Sequence, residues 1–352
     1  MITTINFDFA NEPRASVLIV YTGGTMGMDY DENGSLAPCS FGHILERIPV
    51  IKELNINLSV LSLDPPIDSS NMNAAYWVML SEVIRENYNR FDGFIVLHGT
   101  DTMAYSASAM SFMLQGVNKP IIFTGAQLPI ASPRSDGHEN FITALEIAAQ
   151  KKEDGTPVVS EVCIFFNHLL LRGNRSKKVE SRHFDAFESE NYPILAEAGI
   201  VIDYNHAFLK PHDPGAELKL YTGLSEALVI LKLFPGMTES TARGILMAPD
   251  IKGVVMESYG AGNVPHQPWF LDLLKQTIAK GITVLNVSQC NGGHVVQGKY
   301  EASSQLEQIG VLSGSDLTTE AATTKMMHAL GNYSGADEIK NCLITSISGE
   351  MN

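Results

Sequence analysis

The chain has few cysteines, and their arrangement suggests neither a disulfide framework nor a zinc site. Its four cysteines, in 352 residues, form no CxxC pair and have no histidine nearby at the spacing of a metal ligand. A disulfide framework and a structural zinc site are therefore not expected. Free thiols in a reducing compartment are the simpler interpretation, and no bound metal is predicted.

Positive charge and long apolar segments are also scarce. The chain has 24 lysines and arginines against 39 aspartates and glutamates, a formal net charge of −15. This balance argues against nucleic acid or an anionic membrane as the main partner. The segment 1–21 has neither a basic start nor a long apolar run, so it predicts neither a signal peptide nor a membrane anchor. A cytoplasmic location is the resulting expectation.

Two phosphate-binding signatures are missing at a glycine-rich turn. An apolar run at 17–21 leads directly into the motif TGGT at 22–25. The glycines are adjacent rather than spaced as GxGxxG, no helical pattern follows them, and no Gly-Lys pair follows as in a P-loop. Phosphate binding is therefore disfavoured. What the two glycines do provide is a sharp turn that a ligand can approach closely.

The chain does contain a regular alternation of short apolar runs and helical patterns. Its hydrophobic fraction is 45% and its charged fraction 18%, as in a globular protein. Strands are predicted at 17–21, 58–63, 94–97, 119–124, 161–166, 228–233, 253–257 and 283–287. Helices are predicted within 40–53 and at 73–88, 103–114, 138–150, 238–247, 267–279 and 318–330. Such an alternation predicts an α/β fold with a mostly parallel sheet covered by helices on both faces.

A lapse in this alternation predicts two domains. The segment 206–222, with its prolines and histidines, is typical of a linker. We therefore predict a larger N-terminal α/β domain with a doubly wound sheet at 1–205, and a smaller C-terminal α/β domain at 223–352. The segment 26–38 is polar and rich in turn formers, which predicts a hairpin or a mobile loop.

The motif HGTDT at 98–102 carries the strongest chemical signal. It follows the strand predicted at 94–97, and in open α/β sheets ligands bind where such strands end. It places the Thr100 hydroxyl beside the Asp101 carboxylate, with Lys178 as a third member. A threonine nucleophile needs a neighbouring base, and a lysine paired to an aspartate can relay its proton. Alternatively, Thr100 or Asp101 caps the following helix, and Asp101 pairs with Lys178 for structure alone.

A second motif, IDSSNM at 67–72, ends another predicted strand. Asp68 can bind an ammonium group, while the hydroxyls of Ser69 and Ser70 and nearby N–H groups can bind a carboxylate. This combination suits a zwitterionic ligand, although by itself the motif is a commonplace turn.

Six motifs taken together resemble the bacterial asparaginases, in particular their cytoplasmic type I branch. They are YTGGTMGM at 21–28, IDSSNM at 67–72, HGTDTMAYSASAMSFML at 98–114, TGAQLPI at 124–130, RSDGHEN at 134–140 and RGNRSKK at 172–178. SYGAGN at 258–263 and SQC at 288–290 suggest the same branch. The resemblance covers nearly the whole chain from about Val17, and TGGT with HGTDT at this separation is a specific pair.

The resemblance implies an enzyme that hydrolyses L-asparagine to L-aspartate and ammonia without a metal or cofactor. It also implies a homotetramer built as a dimer of dimers. By motif position, Thr25 is the nucleophile and forms an acyl-enzyme. The residues Thr100, Asp101 and Lys178 activate the water or the nucleophile.

The same motif positions imply how the substrate is bound. Asn263 matches an asparagine that reaches the site from a neighbouring subunit. The other residues implied to hold the substrate's α-carboxylate and amine are Asp68, Ser69, Ser70, Thr100 and Asp101.

Two positions depart from the family's pattern. The family usually has a tyrosine in the loop after TGGT, where this chain has Ser35. Tyr30 is the nearest phenol, and we predict that it takes part in catalysis. Type I relatives can carry an arginine before SYG that takes part in binding an effector asparagine, and here that residue is Glu257. A candidate effector site at Glu257, Ser288 and Cys290 therefore has a changed charge, and we predict weak or absent cooperativity.

Two alternatives to an asparaginase stay open. One is a glutaminase or another amidase of the same fold, a choice that depends on the room around Ser70 and the loop after Thr25. The other is a non-catalytic sensor that binds small amino acids in the same clefts. The nucleophile and its activating residues argue against a sensor, because a sensor needs no nucleophile.

Overall fold

The computed structural model describes residues 3–5, 12–30, 36–38, 41–296 and 301–352. The chain divides into two compact units, Met1–Leu220 and Tyr221–Asn352. This division falls inside 206–222, the segment predicted to be a linker. The two units are described separately below.

The first unit contains most of the strands. Its strands are β1 (Thr3–Ile5), β2 (Ala15–Gly23), β3 (Met28–Tyr30), β4 (Leu36–Pro38), β5 (Ile56–Ile67), β6 (Gly93–Leu97), β7 (Leu114–Gln115), β8 (Ile121–Thr124), β9 (Val162–Phe166), β10 (Leu169–Arg172), β11 (Lys177–Lys178), β12 (Phe187–Glu188), β13 (Ala196–Ala198), β14 (Ile202–Tyr204) and β15 (Lys219–Leu220). Its α-helices are α1 (Phe41–Arg47), α2 (Ala74–Asn87), α3 (Met103–Met113) and α4 (Gly137–Ala149). Short 3-10 turns occupy Thr25–Gly27, Pro49–Leu54, Ser69–Asn71, Thr100–Thr102 and Gly173–Arg175.

The large sheet of this unit confirms the predicted mostly parallel arrangement. Within the described residues, nine strands lie in the order β1-β5-β2-β6-β8-β9-β10-β13-β14. The five from β5 to β9 run parallel to their neighbours. The strands added at either edge are antiparallel. The sequence analysis did not predict the hairpin of β9 and β10, whose turn residues Asn167 and His168 have left-handed backbones with φ of 43° and 66°.

Burial on both faces explains the composition of the central strands. All of β6 is buried, and so is all of β2 except Ser16, so neither strand alternates apolar and polar residues. The helix α3 is buried along almost its whole length and consists largely of small residues. The preceding helix, α2, begins at Asn73, whose Oδ1 accepts hydrogen bonds from the backbone N–H groups of Ala75 and Tyr76 at 3.0 and 3.3 Å. Such a cap satisfies two N–H groups of the first turn.

The parallel register brings the carboxyl ends of these strands to one edge of the sheet. Tyr21 of β2 lies opposite Leu97 of β6, and Leu97 lies opposite Thr124 of β8. On the other side of β2, Gly23 lies opposite Ile67, the last residue of β5. The polar residues that follow these strands therefore emerge side by side, at the edge where open α/β sheets bind ligands.

Two glycines let these strand ends approach at backbone distance. Gly24 has a φ of 90°, and a Cβ atom there would lie 2.5 Å from the backbone nitrogen of Gly99. A Cβ atom on Gly99 would in turn lie 2.5 Å from Ser69 Oγ. Neither position has room for a side chain, so the turns after β2, β5 and β6 pack directly against one another.

The segment 26–38, which follows the turn after β2, contains a hairpin. A hairpin was one of the two structures predicted for this segment. β3 and β4 pair antiparallel, with Met28 opposite Pro38. The hairpin is tied to α1 because His43 Nε2 and Asp29 Oδ2 lie 2.7 Å apart. Arg47 on the same helix lies 3.6 Å from that carboxylate oxygen.

The second unit is a smaller α/β structure, as predicted. Its strands are β16 (Leu228–Lys232), β17 (Gly253–Ser258), β18 (Thr283–Ser288) and β19 (Leu312–Ser313). Among the described residues these four form a parallel sheet in chain order. Its helices are α5 (Glu239–Leu246), α6 (Pro268–Ala279), α7 (Glu301–Gln308), α8 (Thr319–Asn332) and α9 (Ala336–Ile344). Three of these helices confirm predictions, whereas α7 and α9 were not predicted.

Candidate active site

A cavity of about 320 Å³ lies at the carboxyl edge of the large sheet. Its lining contains six of the residues singled out in the sequence: Thr25, Asp68, Ser69, Thr100, Asp101 and Lys178. They come from the turns after β2, β5 and β6 and from β11, so the fold brings together residues that are far apart in the chain. Ser70 is exposed and, within the described part of the chain, is not among the lining residues.

Thr25 is the first residue of the 3-10 turn that follows β2 and Gly24. It is partly exposed, whereas its neighbours on either side are buried. The buried phenol of Tyr21 donates a hydrogen bond to the Gly27 carbonyl at 3.0 Å, which ties the far end of this turn back to its strand. Thr25 therefore presents its side chain to the cavity from a firmly held backbone.

Thr100, Lys178 and Asp101 form a connected group in the cavity. Lys178 Nζ donates to Thr100 Oγ1 at 2.8 Å and to Asp101 Oδ1 at 2.7 Å. Thr100 is buried, and the side chain of Lys178 is 17% exposed, whereas that of Asp101 is 68% exposed. An ion pair with so exposed a partner adds at most about 1 kcal/mol to stability. Its clearer effect is to orient the lysine toward the threonine hydroxyl.

Gln127 is a member of the site that the sequence analysis did not single out. It lines the cavity, and its side-chain oxygen accepts a hydrogen bond from Thr100 Oγ1 at 3.2 Å. Asp136 holds its backbone, since Oδ2 accepts from the Gln127 N–H at 2.9 Å. Gln127 Nε2 donates to the His183 carbonyl at 3.1 Å. Its place just after β8, the next strand along the same edge, was a signal that could have identified it.

Neither Thr100 nor Asp101 caps α3, so the capping part of the structural alternative is wrong, whereas the pair of Asp101 with Lys178 is present. The N-cap position belongs to Thr102, whose side chain does not cap the helix either. The Thr102 hydroxyl donates instead to the Ser69 carbonyl at 2.7 Å. This bond links the turn after β6 to the turn after β5. The side chains of Thr100 and Asp101 are thus engaged with Lys178 rather than with the helix.

The turn after β5 is organised by Asp68. Its Oδ1 accepts from the Ser70 N–H at 2.9 Å, while Ser69 is 5% exposed and packs under Gly99. Asp68 and Ser69 line the cavity with a carboxylate and a hydroxyl. These are the groups expected to contact an ammonium and a carboxylate of a ligand.

The remaining predicted residues lie in the second unit. Asn263 is exposed, and its backbone N–H donates to the Tyr259 carbonyl at 2.8 Å in the loop after β17. Ser288 Oγ donates to the Gly260 carbonyl at 2.7 Å and accepts from the N–H of the exposed Cys290 at 3.0 Å. Ser288 and Cys290 thus belong to one turn at the end of β18.

Glu257, the residue at the family's arginine position, is already engaged within its own unit. It is 8% exposed, and its Oε1 accepts from Thr319 Oγ1 at 2.5 Å. Its Oε2 lies 3.3 Å from Lys232 Nζ. The buried carboxylate is therefore both hydrogen-bonded and paired with a cation.

Two residues singled out in the loop after TGGT lie outside these observations. The side chain of Tyr30 and the whole of Ser35 fall outside the described residues. In the ranges that are described, no three histidine, cysteine or carboxylate side chains lie close enough together to hold a metal ion. No helix in the same ranges is both long and apolar enough to cross a membrane.

Comparisons with known proteins match the chain over both units. A family model described as "Asparaginase, N-terminal" matches residues 16–210, and one described as "Glutaminase/Asparaginase C-terminal domain" matches residues 228–343. The chain is 37% identical to L-asparaginase 1 of Escherichia coli strain K12 over 342 residues, which cover 96% of this chain and 98% of that protein.

Two solved structures are similar in fold and sequence. L-asparaginase I from Vibrio cholerae aligns with a TM-score of 0.86 at 35% identity, covering 96% of this chain and 99% of that one. The thermostable L-asparaginase from Thermococcus kodakarensis aligns with a TM-score of 0.86 at 31% identity, with the same coverage of 96% and 99%.

Proposed function

The chain belongs to the asparaginase family, and from that premise we propose that it hydrolyses the side-chain amide of L-asparagine with Thr25 as the nucleophile. The observation that carries this proposal is the arrangement of Thr25 in one cavity with the hydrogen-bonded group of Thr100, Lys178 and Asp101. A hydroxyl nucleophile beside a second activating group is the arrangement that acyl transfer requires.

The reaction takes place in two steps. The Thr25 oxygen attacks the amide carbon, the C–N bond breaks, and the nitrogen leaves as ammonia with the threonine's proton. Water then attacks the ester carbon, the Thr25 oxygen regains a proton, and L-aspartate is released. In each step negative charge develops on the carbonyl oxygen. Backbone N–H groups at the strand ends are suited to stabilise it, an effect worth roughly 3–4 kcal/mol per donor in other acyl-transfer enzymes.

Thr100, Lys178 and Asp101 activate the attacking group. The Lys178 ammonium donates to Thr100 Oγ1, so it stabilises negative charge on that oxygen and lets the threonine side chain take part in proton transfer. Asp101 holds the lysine in place through its ion pair. Gln127 completes the group, because its side-chain oxygen accepts a hydrogen bond from the Thr100 hydroxyl.

Asp68 and Ser69 bind the substrate's amino-acid end. The Asp68 carboxylate pairs with the α-ammonium, and the Ser69 hydroxyl donates to the α-carboxylate. Asp101, with its largely exposed side chain, contributes a second carboxylate for the ammonium. Ser70, which is exposed next to Ser69, adds its hydroxyl at this end of the substrate.

We infer that the enzyme works in the cytoplasm as a homotetramer in which Asn263 of one subunit completes the site of a neighbour. The exposure of Asn263 in the second unit supports such a contact. Sedimentation at working concentration should show at least a dimer, and Asn263→Ala should raise KM for asparagine. A fully active monomer would contradict the shared site.

L-glutamine is the second candidate substrate, because the description of the matched C-terminal family model names glutaminase as well. Ammonia release by the purified protein, measured with asparagine and with glutamine at equal concentrations, separates the two. We expect the larger kcat/KM for asparagine. A larger value for glutamine would make the protein a glutaminase with the same nucleophile.

Two threonine variants test the mechanism itself. Thr25→Ala and Thr100→Val should each lower turnover by several powers of ten, because both belong to one catalytic unit. Thr323→Ala is the matched control: its hydroxyl donates only along its own helix, to the Thr319 carbonyl at 2.7 Å, and turnover should not change. Near-normal rates for Thr25→Ala would show that another residue is the nucleophile.

A further inference from the structure

A buried chain of hydrogen bonds lies directly behind the catalytic turn after β6. Trp77 Nε1 lies 2.9 Å from Ser106 Oγ, which lies 2.9 Å from His98 Nε2. His98 Nδ1 lies 2.7 Å from the Gly99 carbonyl oxygen. The chain thus connects α2 and α3 to the peptide group that precedes Thr100.

The chemistry of the end groups determines the direction of every bond. A carbonyl oxygen can only accept, so His98 Nδ1 carries a proton and donates to Gly99. An indole Nε1 can only donate, so Ser106 Oγ accepts from Trp77. In a neutral imidazole Nε2 is then an acceptor, and the Ser106 hydroxyl donates its proton to it. All four groups are satisfied in a single arrangement.

The surroundings favour that neutral form. His98 is 1% exposed, Ser106 is fully buried and Trp77 is 6% exposed. Burial lowers the pKa of His98 to about 4 and outweighs the opposite effect of its hydrogen bond to Gly99. A hydrogen bond in so dry a setting is electrostatically stronger than in water, and the chain therefore holds the Gly99 carbonyl firmly.

The Gly99 carbonyl belongs to the peptide group that joins Gly99 to Thr100, two residues that line the cavity. The Gly99 C=O and the Thr100 N–H belong to one planar trans peptide, so fixing the direction of the first fixes that of the second. The backbone of Gly99 is already in close contact with Gly24 on the nucleophile's turn and with Ser69. A rotation of this peptide would therefore displace Thr100 relative to Thr25.

We propose that His98 is a positioning residue, which sets the plane of the Gly99–Thr100 peptide and so aims Thr100 at the reacting amide. This inference rests on the proposed function, because it assumes that Thr100 acts in catalysis. The contribution is to kcat rather than to KM, since peptide orientation matters most when charge develops in the transition state.

Paired variants at position 98 separate positioning from simple packing. His98→Leu fills the space but donates no hydrogen bond to Gly99, and we expect kcat to fall about a hundredfold, as for small misplacements of catalytic groups, with KM little changed. His98→Asn keeps an N–H at the place of Nδ1, and should recover most of the lost kcat. Ser106→Ala removes the donor to Nε2 and should lower kcat less than His98→Leu does.

A second buried histidine gives the matched control. His328 lies on α8 in the second unit, and is also fully buried. His328→Leu should lower the melting temperature at least as much as His98→Leu, yet leave kcat per folded molecule unchanged. Equal kcat for His98→Leu and wild type would overturn the proposal, and so would a His98→Asn variant no faster than His98→Leu. If His98→Leu does not fold, the Asn and Ser106→Ala variants still decide the question.

Thr100→Val, measured beside these variants, distinguishes a failure of the proposed function from a failure of the inference about His98. Full activity of Thr100→Val would refute the proposed function, and with it the premise of the inference. An inactive Thr100→Val together with a fully active His98→Leu would refute the positioning role of His98 alone.

Discussion

Lys178 Nζ donates a 2.8 Å hydrogen bond to Thr100 Oγ1 across a separation of 78 residues in the chain. The same nitrogen donates to Asp101 Oδ1 at 2.7 Å, so one ammonium group contacts two adjacent residues of the HGTDT motif. The acceptor of the Thr100 proton is Gln127. The Thr100 hydroxyl thus lies between a cation, from which it accepts a hydrogen bond, and an amide oxygen, to which it donates one.

Removing the ammonium should abolish activity without unfolding the protein. For Lys178→Met we expect kcat to fall by about a thousandfold or more, because Lys178 acts as a unit with Thr100. The melting temperature should change little, because the ion pair with the exposed Asp101 adds at most about 1 kcal/mol. Lys177→Met, at the preceding position of β11, is the control and should retain activity. If both variants were equally active, Lys178 would have only a structural role.

The charge of Glu257 predicts hyperbolic kinetics. A buried carboxylate, hydrogen-bonded to Thr319 and paired with Lys232, would repel the α-carboxylate of a second asparagine where an arginine would attract it. We therefore expect a Hill coefficient near 1 for the rate as a function of asparagine concentration. A sigmoidal curve that is lost in Glu257→Gln or Cys290→Ser would show instead that an effector site operates here.

Stability should decrease in mild acid because two histidines are buried in the neutral form. Burial lowers the pKa of His98 to about 4, and burial with the nearby Lys325 charge lowers that of His328 to about 4. Between pH 6.5 and 4 the unfolded chain therefore binds more protons than the folded protein. The free energy of unfolding falls as the pH falls through this window, by roughly 3 kcal/mol per histidine.

Denaturant titrations from pH 7 to pH 4 measure this effect. His328→Asn should remove about half of the histidine contribution to the pH dependence, whereas the exposed His266, changed to Asn, should leave it intact. An unchanged pH dependence of the unfolding free energy in His328→Asn would mean that His328 does not contribute to the acid sensitivity.

The hairpin after the nucleophile gives a prediction that depends on Tyr30. A lid that excludes stray water helps an enzyme that forms an acyl intermediate, and Tyr30 is the phenol closest in sequence to Thr25 within the loop. We expect Tyr30→Phe to slow turnover more than tenfold, which corresponds to about 1.4 kcal/mol of barrier, with little change in melting temperature. Tyr76→Phe, on α2, is the control. Unchanged kinetics for Tyr30→Phe would show that Tyr30 has no lid function, which would then have to be assigned to Ser35 or to another part of the chain.

The sequence by itself determined the fold class and most of the cavity. Continuous apolar runs such as 94–97 can only be buried on both faces, and a parallel sheet built from them must bring its strand ends to one edge. The polar motifs after those runs, TGGT and HGTDT, are therefore predictable from the sequence as parts of one site. Local patterns were sufficient because burial and turn chemistry are properties of neighbouring residues.

Only the tertiary structure decided which side chains are partners. The Thr100 hydroxyl donates to Gln127 instead of accepting from a helix N–H, and Thr102 rather than Thr100 stands at the N-cap of α3. The hydrogen-bonded chain from Trp77 through Ser106 to His98 joins three elements, and although His98 begins the HGTDT motif, no sequence pattern pairs it with Ser106 or Trp77. Such bonds depend on strand register and on helix packing to within about an ångström, because a hydrogen bond is lost beyond about 3.5 Å. That precision comes from the packing of the whole unit, and no local stretch of sequence contains the information that sets it.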